Sequence, residues 1–192
     1  MNPNLNLKNL IIFCGLFILG SCLSPIQENN YLTIATSSGI AKGTLKQDVI
    51  SWEDIPYAVP PEGDLRWKAP RPLIAPDIVI QDQEGNGCLQ EASIYAGIQG
   101  EGIVGQEDCL YLDIKAPAND LNRRLPVMFW IHGGANTSGI KDYYDFSEFI
   151  RRHQVLVVTI NYRLGPLGWF THPAIQGLQE GLDKTSNFGT LD

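Results

Sequence analysis

Basic side chains are scarce in this sequence of 192 residues, where 14 Lys and Arg stand against 21 Asp and Glu. The formal net charge at pH 7 is -7, and the basic residues are scattered. Because phosphate binding requires a basic face, the sequence argues against a nucleic-acid partner. The P-loop pattern G-x-x-x-x-G-K-[ST] does not occur. With 44% hydrophobic residues and no visible repeat, the composition is that of a globular protein.

Long hydrophobic runs are also absent. The longest spans residues 10–19, well short of the roughly 20 residues that a membrane-spanning helix needs. It follows Lys8, and no acidic residue precedes Glu28, which is typical of a secretory signal. The run ends in Leu-Gly-Ser-Cys at Cys22, which resembles the bacterial lipoprotein cleavage box, where the cysteine becomes the lipidated first residue. The alternative is ordinary signal cleavage nearby.

This interpretation sets the expected organisation of the chain. We predict a lipoprotein-type signal peptide over residues 1–21, a polar tether over 22–30 and a folded domain over 31–192. Lipid on Cys22 would anchor the protein to a membrane without spanning it. The expected location is the bacterial cell envelope, or a secreted or periplasmic one if ordinary cleavage applies.

Cysteines are few as well, at four in total. Cys14 lies in the expected signal and Cys22 carries the expected lipid, which leaves Cys88 and Cys109. An oxidising compartment favours a disulfide between them, closing a loop of about 22 residues and contributing roughly 3 kcal/mol of stability. A metal site is the competing interpretation, but the sequence has neither a C-x-x-C pair nor a histidine near either cysteine.

The first half of the expected domain predicts short strands and long loops. Residues 31–57 alternate loosely between apolar and polar side chains, which indicates antiparallel strands. Residues 56–76 hold six of the twelve prolines and residues 85–105 hold six glycines, so both ranges are predicted to be loops. A strand is predicted over 110–114, joined to the second loop by the disulfide.

The centre of the chain predicts parallel strands. Residues 126–131 and 155–160 are nearly continuous apolar runs, typical of strands buried on both faces. Between them we place a helix with Asp145 as N-cap, Glu148 as its capping-box partner, and an apolar stripe of Phe146, Phe149 and Ile150. Strand, helix and strand form a βαβ unit, so we predict an α/β fold in which these two strands are parallel.

The first of these strands ends at His132 and is followed by Gly133, Gly134 and Ala135. Ligands of a parallel α/β sheet bind at the carboxyl ends of the strands, and small residues there allow backbone N–H groups to approach a ligand oxygen. This pattern is typical of an oxyanion hole, in which fixed donors face developing negative charge. The alternative is a simple glycine turn.

Five stretches of the sequence resemble the type B carboxylesterases, the family that includes the cholinesterases and the bacterial p-nitrobenzyl-type esterases. They follow the family's order and cover nearly all of the expected domain. The stretches are residues 55–67 with Ile-Pro-Tyr-Ala, Pro-Pro and Leu-Arg-Trp; Glu-Asp-Cys-Leu-Tyr-Leu at 107–112; Trp-Ile-His-Gly-Gly-Ala at 130–135; Val-Thr-Ile-Asn-Tyr-Arg-Leu-Gly at 158–165; and Asn-Phe-Gly-Thr-Leu-Asp at 187–192.

The resemblance implies an α/β-hydrolase fold and ester hydrolysis through a Ser–acid–His triad. Water is the co-substrate, a small-molecule ester is the expected partner, and no metal or organic cofactor is implied. The resemblance assigns the oxyanion donors to the backbone N–H groups of Gly134 and Ala135, with Gly133 giving the turn room. His132 is then a residue that shapes the loop at the strand end and is not the triad base.

Two residue pairs receive structural roles from the same resemblance. Cys88 and Cys109 match the family's first disulfide. Arg66 and Glu107 match a structural ion pair, which we expect to be buried, so that removing one partner would cost several kcal/mol.

The triad itself is not in this sequence, because no serine stands in a G-x-S-x-G nucleophile elbow. Ser138 comes closest, but Asn136 precedes it and Gly139 follows it directly. The resemblance places the elbow, the acid and the histidine beyond Asp192. We therefore expect an N-terminal part of a hydrolase with an incomplete fold, an exposed apolar sheet edge at 127–131 and no activity by itself.

A second interpretation comes from another functional class. Some relatives, such as the neuroligins, keep the fold without a working triad and act in binding or adhesion, and a truncated form could be a pseudogene product. The oxyanion stretch favours the enzyme lineage, because a binding protein does not need that backbone geometry. Two residues depart from the family pattern: Asn136 stands at a position that is often aromatic or bulky, and Asp54 at one that is usually Gly.

Overall fold

The computed structural model describes residues 32–81, 86–119, 121 and 123–192, and its core is a mixed sheet of five strands. The strands are β1 (Thr33–Thr36), β2 (Gly39–Lys42), β3 (Thr44–Lys46), β4 (Val49–Pro56), β5 (Gln90–Ser93), β6 (Ile98–Val104), β7 (Tyr111–Pro117), β8 (Val127–Ile131) and β9 (Leu156–Ile160). The α-helices are α1 (Ser147–His153), α2 (Gly165–Gly168), α3 (Pro173–Gln176) and α4 (Phe188–Leu191). Short 3-10 turns span Gly63–Leu65, Ile94–Ala96 and Gly181–Lys184.

The five-stranded sheet has the order β3-β4-β7-β9-β8. Its first four strands pair antiparallel, whereas β8 and β9 pair parallel, with Val127 opposite Leu156 and Ile131 opposite Ile160. β1 with β2, and β5 with β6, form separate two-stranded sheets. The predicted α/β class, with antiparallel N-terminal strands followed by a βαβ unit, is confirmed.

Helix α1 crosses between β8 and β9 and packs on the sheet through one side chain. Ile150 is fully buried against Val49 of β4 and Val157 of β9. Phe149 of the predicted stripe is 40% exposed instead. The helix therefore presents a narrower apolar face than the sequence pattern predicted.

The predicted capping box is wrong. The helix begins at Ser147, so its N-cap position falls on Phe146, which makes no side-chain cap. Asp145 lies one residue further out, where its carboxylate accepts the Ser147 N–H at 2.9 Å. Glu148 then sits in the first turn and pairs with Arg151 instead of reaching back to the N-cap.

Strand β8 lies at the edge of the sheet. Its pairing partner is β9, and Val127, Phe129 and Ile131 are 63%, 54% and 60% exposed. The expectation that this strand is buried on both faces is wrong here, because no described element covers the face that carries these three side chains. The other face contributes Met128 to the cluster around Ile150.

The second predicted loop is a hairpin. Residues 90–104 form β5 and β6, joined by a 3-10 turn that ends at Gly97 with φ of 76°. The glycines supply positive φ values that the irregular hairpin requires, including 121° at Gly100 and 67° at Gly102. The prediction of a loop over residues 85–105 is therefore wrong for the part that forms the hairpin. Residues 100–105 also match G-x-G-x-x-G, but they lie in and just after β6 and not between a strand and a helix, so they are no dinucleotide loop.

The predicted disulfide forms between Cys88 and Cys109, with an S–S distance of 2.02 Å. Both cysteines are buried beside Leu110, Ile160 and Leu164. The bridge joins the base of the β5–β6 hairpin to the start of β7 in the central sheet. Within the described residues, no cluster of His, Cys, Asp and Glu is arranged to hold a metal ion.

The predicted signal over 1–21, the tether over 22–30 and Cys22 lie outside the described residues. In the described part of the chain, every helix is too short or too polar to cross a membrane.

Reduction of the Cys88–Cys109 bridge is expected to lower the free energy of unfolding by roughly 3 kcal/mol, because it releases a loop of about 22 residues. Denaturant titrations with and without reductant measure this, and intact mass should rise by about two daltons on reduction. In a Cys88→Ser/Cys109→Ser control, reductant should not move the midpoint. An unmoved midpoint in the unmodified protein would contradict the prediction.

Candidate functional site

The candidate site begins where β8 ends, at a segment that we call the glycine loop, residues 133–141. Its backbone enters the left-handed region at three successive residues, with φ of 111° at Gly134, 54° at Ala135 and 62° at Asn136. A Cβ on Gly134 would lie 1.8 Å from the Ser138 carbonyl oxygen, so glycine is required there. Left-handed backbone at the other two residues costs of order 1–3 kcal/mol each, which the surrounding structure must offset.

The tight turn frees two backbone donors. The Thr137 and Ser138 N–H groups both donate to the Gly134 carbonyl, at 3.0 and 3.1 Å. The N–H groups of Gly134 and Ala135 have no hydrogen-bond acceptor within the described part of the chain. Their assignment as oxyanion donors stays a prediction, and this geometry leaves them available for it.

His132 fixes the start of the glycine loop. Its ring stacks on Tyr162 with centroids 4.3 Å apart, and the Tyr162 hydroxyl donates to the His132 carbonyl at 2.7 Å. The ring Nδ1 lies 2.8 Å from the Gly133 carbonyl oxygen, which assigns the proton to Nδ1. Burial lowers the pKa of His132, so the ring is neutral. A Cβ on Gly139 would lie 2.0 Å from Nδ1, so the loop closes directly onto this ring.

Gln90 of β5 holds the far side of the glycine loop. Its side-chain amide accepts the Gly139 N–H at 2.7 Å and donates to the Gly139 carbonyl at 2.9 Å. The same Nε2 donates to the Cys88 carbonyl at 2.9 Å. Sequence reasoning missed Gln90, since it lies 49 residues from Gly139 in a segment predicted to be a loop.

Lys141, at the end of the glycine loop, carries a buried ammonium group. Its Nζ lies 3.0 Å from Asp54 Oδ1, 2.9 Å from Asp113 Oδ1 and 2.8 Å from Asp142 Oδ2. Lys141, Asp54 and Asp113 are each at most 3% exposed. We call these four residues the Lys141 cluster. Asp54, whose departure from the family pattern had no explanation in the sequence, has its partner here.

Burial dominates the electrostatics of this cluster. It raises the pKa of Asp113 to about 7, against the opposing effect of Lys141 and with a further rise from Asp142. Burial alone would lower the pKa of Lys141, but Asp113, Asp142 and Asp54 together raise it above its ordinary value. Lys141 therefore stays charged, and Asp113 takes up a proton near neutral pH.

An open cavity of about 310 Å³ adjoins the glycine loop. Gly133, Gly134 and Ser138 form one wall. The aromatic side chains on the other walls are Tyr95, Trp130, Tyr143 and Tyr144. This volume admits a small organic group beside Gly134, the first of the two donor residues.

Arg66 and Glu107 form the predicted ion pair, in which Arg66 donates through both Nε and Nη2. The expectation that the pair is buried is wrong, since the Arg66 side chain is 42% exposed and that of Glu107 16%. Solvent screens a pair in this position, so its contribution to stability is smaller than the several kcal/mol expected for a buried pair.

Asp113 is expected to make the free energy of unfolding depend on pH. Its pKa of about 7 in the folded protein exceeds the ordinary 3.8, so at intermediate pH the folded protein holds a proton that the unfolded chain releases. The contribution of Asp113 protonation to the free energy of unfolding is fully present below about pH 4, and it is lost as the pH rises to about 7. Asp113→Asn, which cannot ionise, should remove that decline. Denaturant midpoints across this range measure it, and equal slopes in both proteins would contradict it.

Comparison with known proteins identifies the family to which this chain is similar. The sequence profile of the Carboxylesterase family matches residues 30–192. The chain is 39% identical to the para-nitrobenzyl esterase of Bacillus subtilis (strain 168), covering 83% of this chain and 32% of that protein. It is 38% identical to the fumonisin B1 esterase of Sphingopyxis macrogoltabida, covering 92% of this chain and 33% of that protein.

Solved structures agree with these relatives. A thermophilic PNB esterase matches with a TM-score of 0.72 and 35% identity, over 84% of this chain and 33% of that one. A Geobacillus stearothermophilus carboxylesterase matches with a TM-score of 0.68 and 30% identity, over 83% of this chain and 32% of that one. The chain thus spans about a third of the length of the relatives that it matches. Because the family match covers most of its residues, the chain belongs to the carboxylesterase family.

Proposed function

We propose that this protein supplies the oxyanion side of a serine esterase that hydrolyses carboxylic esters. The observation that carries the proposal is the pair of free N–H groups at Gly134 and Ala135, held in a strained turn at the carboxyl end of β8. Donors that are fixed before the reaction stabilise an oxyanion without reorganisation. The aromatic cavity beside them gives the ester a place to bind.

The proposed reaction is acyl transfer to serine followed by hydrolysis. The serine oxygen attacks the ester carbonyl carbon and its proton passes to the triad base, while the carbonyl oxygen takes the electron pair of the broken π bond. The N–H groups of Gly134 and Ala135 donate to this oxyanion, a contribution of about 3 kcal/mol per donor. Collapse of the tetrahedral intermediate breaks the bond to the alcohol oxygen, which takes the proton from the base and leaves as the alcohol, and an acyl-enzyme remains. Water, deprotonated by the same base, then attacks the acyl-enzyme and releases the acid, and the proton returns to the serine.

The nucleophile of this reaction must come from outside the present sequence. No serine here stands in G-x-S-x-G. The neutral, buried His132 hydrogen-bonds to its own loop and shapes the turn. We place the serine, the acid and the base in residues of the same hydrolase beyond Asp192.

The cavity favours an ester with a compact apolar or aromatic group. Trp130, Tyr143 and Tyr144 offer ring faces and edges, with Trp130 and Tyr144 packed edge-on at 5.5 Å. The relatives named above are a para-nitrobenzyl esterase and a fumonisin B1 esterase. From the lining of the cavity we propose a small ester with an apolar or aromatic group for the present protein.

The proposal is tested with p-nitrophenyl butyrate and the complete product of the gene that encodes this chain. We expect saturable hydrolysis that a fluorophosphonate probe abolishes by labelling the serine. Gly134→Ala should lower kcat by about 100-fold or more, because its Cβ cannot fit beside Ser138 and the donors must shift.

Gly87→Ala is the matched control for this variant. Its φ is not positive, and its Cβ would meet Ile140 at an ordinary contact distance of 3.4 Å. We expect its kcat to stay within about twofold of the unmodified protein, since no donor moves. Hydrolysis no faster than a heat-killed sample, together with no fluorophosphonate labelling, would refute the esterase proposal and favour a binding role.

We also propose that the protein is an exported lipoprotein anchored through Cys22. The apolar run before this residue and the disulfide downstream support the proposal, since disulfides persist in oxidising compartments. In a bacterial host, labelled palmitate should enter the protein, and Cys22→Ser should abolish the label and release the protein from the membrane fraction. Label retained in Cys22→Ser would contradict the proposal.

A further inference from the structure

We propose that Lys141 is a positioning residue, which fixes the end of the glycine loop onto the central sheet and thereby sets the orientation of the Gly134 and Ala135 N–H groups. The catalytic part of this inference rests on the esterase proposal, whereas the structural part does not.

The side chain of Lys141 ties the loop to two separate strands. Asp54 belongs to β4 and Asp113 to β7, and each places a carboxylate oxygen within 3.0 Å of the ammonium. Asp142 provides a third acceptor at 2.8 Å. An ammonium has three donors, so this cluster satisfies all of them inside the protein. These three contacts hold the Lys141 side chain in one position, and they thereby restrict the position of its backbone.

The backbone of Lys141 is held as well. Its N–H donates to Asn161 Oδ1 at 2.8 Å, directly after β9. Asn161 in turn donates to the Asn86 carbonyl at 3.1 Å, and Asn86 donates to the Asp54 carboxylate. Lys141 is thus joined to β4, β7 and β9 through its own atoms and one amide network.

The remainder of the glycine loop is short enough to transmit this attachment. Five residues separate Ala135 from Lys141. Between them, the Asn136 carbonyl accepts the Gly165 N–H at 2.7 Å, and Gly139 forms two hydrogen bonds with the Gln90 side chain. Donors need to be placed within about 0.5 Å to act on a transition state, so a loop end that drifts removes their effect.

A second mutation, at Asp54, separates the effect of Lys141 on stability from its effect on the position of the glycine loop. Its φ of 56° is left-handed, a conformation suited to glycine, which is the residue expected there from the family pattern. Removing Lys141 alone leaves two buried carboxylates without their cation, which destabilises the protein. Removing Asp54 as well leaves Asp113 as the single buried carboxyl of the two strands, and burial favours its neutral, protonated form. Glycine at position 54 also relieves the backbone, but neither change reattaches the loop.

The experiment compares Lys141→Met with the double variant Asp54→Gly/Lys141→Met in the complete gene product. Lys184→Met, at an exposed position, is the control. We expect the denaturant midpoint to fall in Lys141→Met and to recover in the double variant. Amide exchange of Thr137, Ser138 and Gly139, whose N–H groups are hydrogen-bonded in the loop, should be at least about tenfold faster in both variants. Exchange in β7 and β9 should return to normal in the double variant.

The catalytic readout uses the same proteins. In the double variant, kcat for p-nitrophenyl butyrate should fall by about tenfold or more, with KM changed by less than about twofold, because the donors act on the transition state. Lys184→Met should retain both parameters.

Either of two results would overturn the inference. One is normal exchange of the Thr137, Ser138 and Gly139 amides in the stable double variant, and the other is a kcat that recovers together with stability. If the unmodified protein shows no hydrolysis, the esterase proposal fails, and the exchange measurement still decides whether Lys141 positions the loop.

Discussion

The glycine loop holds a backbone conformation that it would not hold by itself, and this constraint explains most of the surrounding structure. Its three consecutive left-handed residues cost free energy, and they leave two N–H groups without an acceptor in the described part of the chain. The contacts from outside the loop offset that cost. Tyr162 fixes the residue before the turn, Gln90 holds Gly139, and Lys141 attaches the end to the sheet. The turn thus depends on strands that are distant in sequence.

The parallel pairing of β8 and β9 brings these contacts together. Residues that follow the two strands meet at one edge of the sheet, so His132 and Tyr162 stack although they are 30 residues apart. The other contacts come from the antiparallel side of the sheet and from the β5–β6 hairpin. A mixed sheet therefore supports the loop from several directions, whereas β8 keeps its outer edge unpaired within the described part of the chain.

The strands β8 and β9 and the turn after His132 could be predicted from the sequence, because short stretches of neighbouring residues determine them. The apolar runs predicted β8 and β9 as strands, because sheet-core strands have continuous hydrophobic sequences, although one face of β8 is exposed here. The glycines after His132 indicated the turn, since only small residues permit it. Gln90 and Lys141 had no such signal, because their roles arise from contacts across tens of residues and from burial. The hairpin at 90–104 was missed for a related reason: glycine indicates unusual φ, and that occurs in bulged strands as well as in loops.

The Lys141 cluster also constrains how this sequence can change over evolutionary time. Replacing Lys141 alone leaves buried carboxylates without their cation, and replacing Asp54 alone takes an acceptor from the buried ammonium. A related protein can exchange the charged pair at positions 54 and 141 for uncharged residues only by replacing both, or by passing through a single replacement of low stability. We therefore expect residues 54 and 141 to covary, with a lysine at 141 being rare wherever glycine occupies 54.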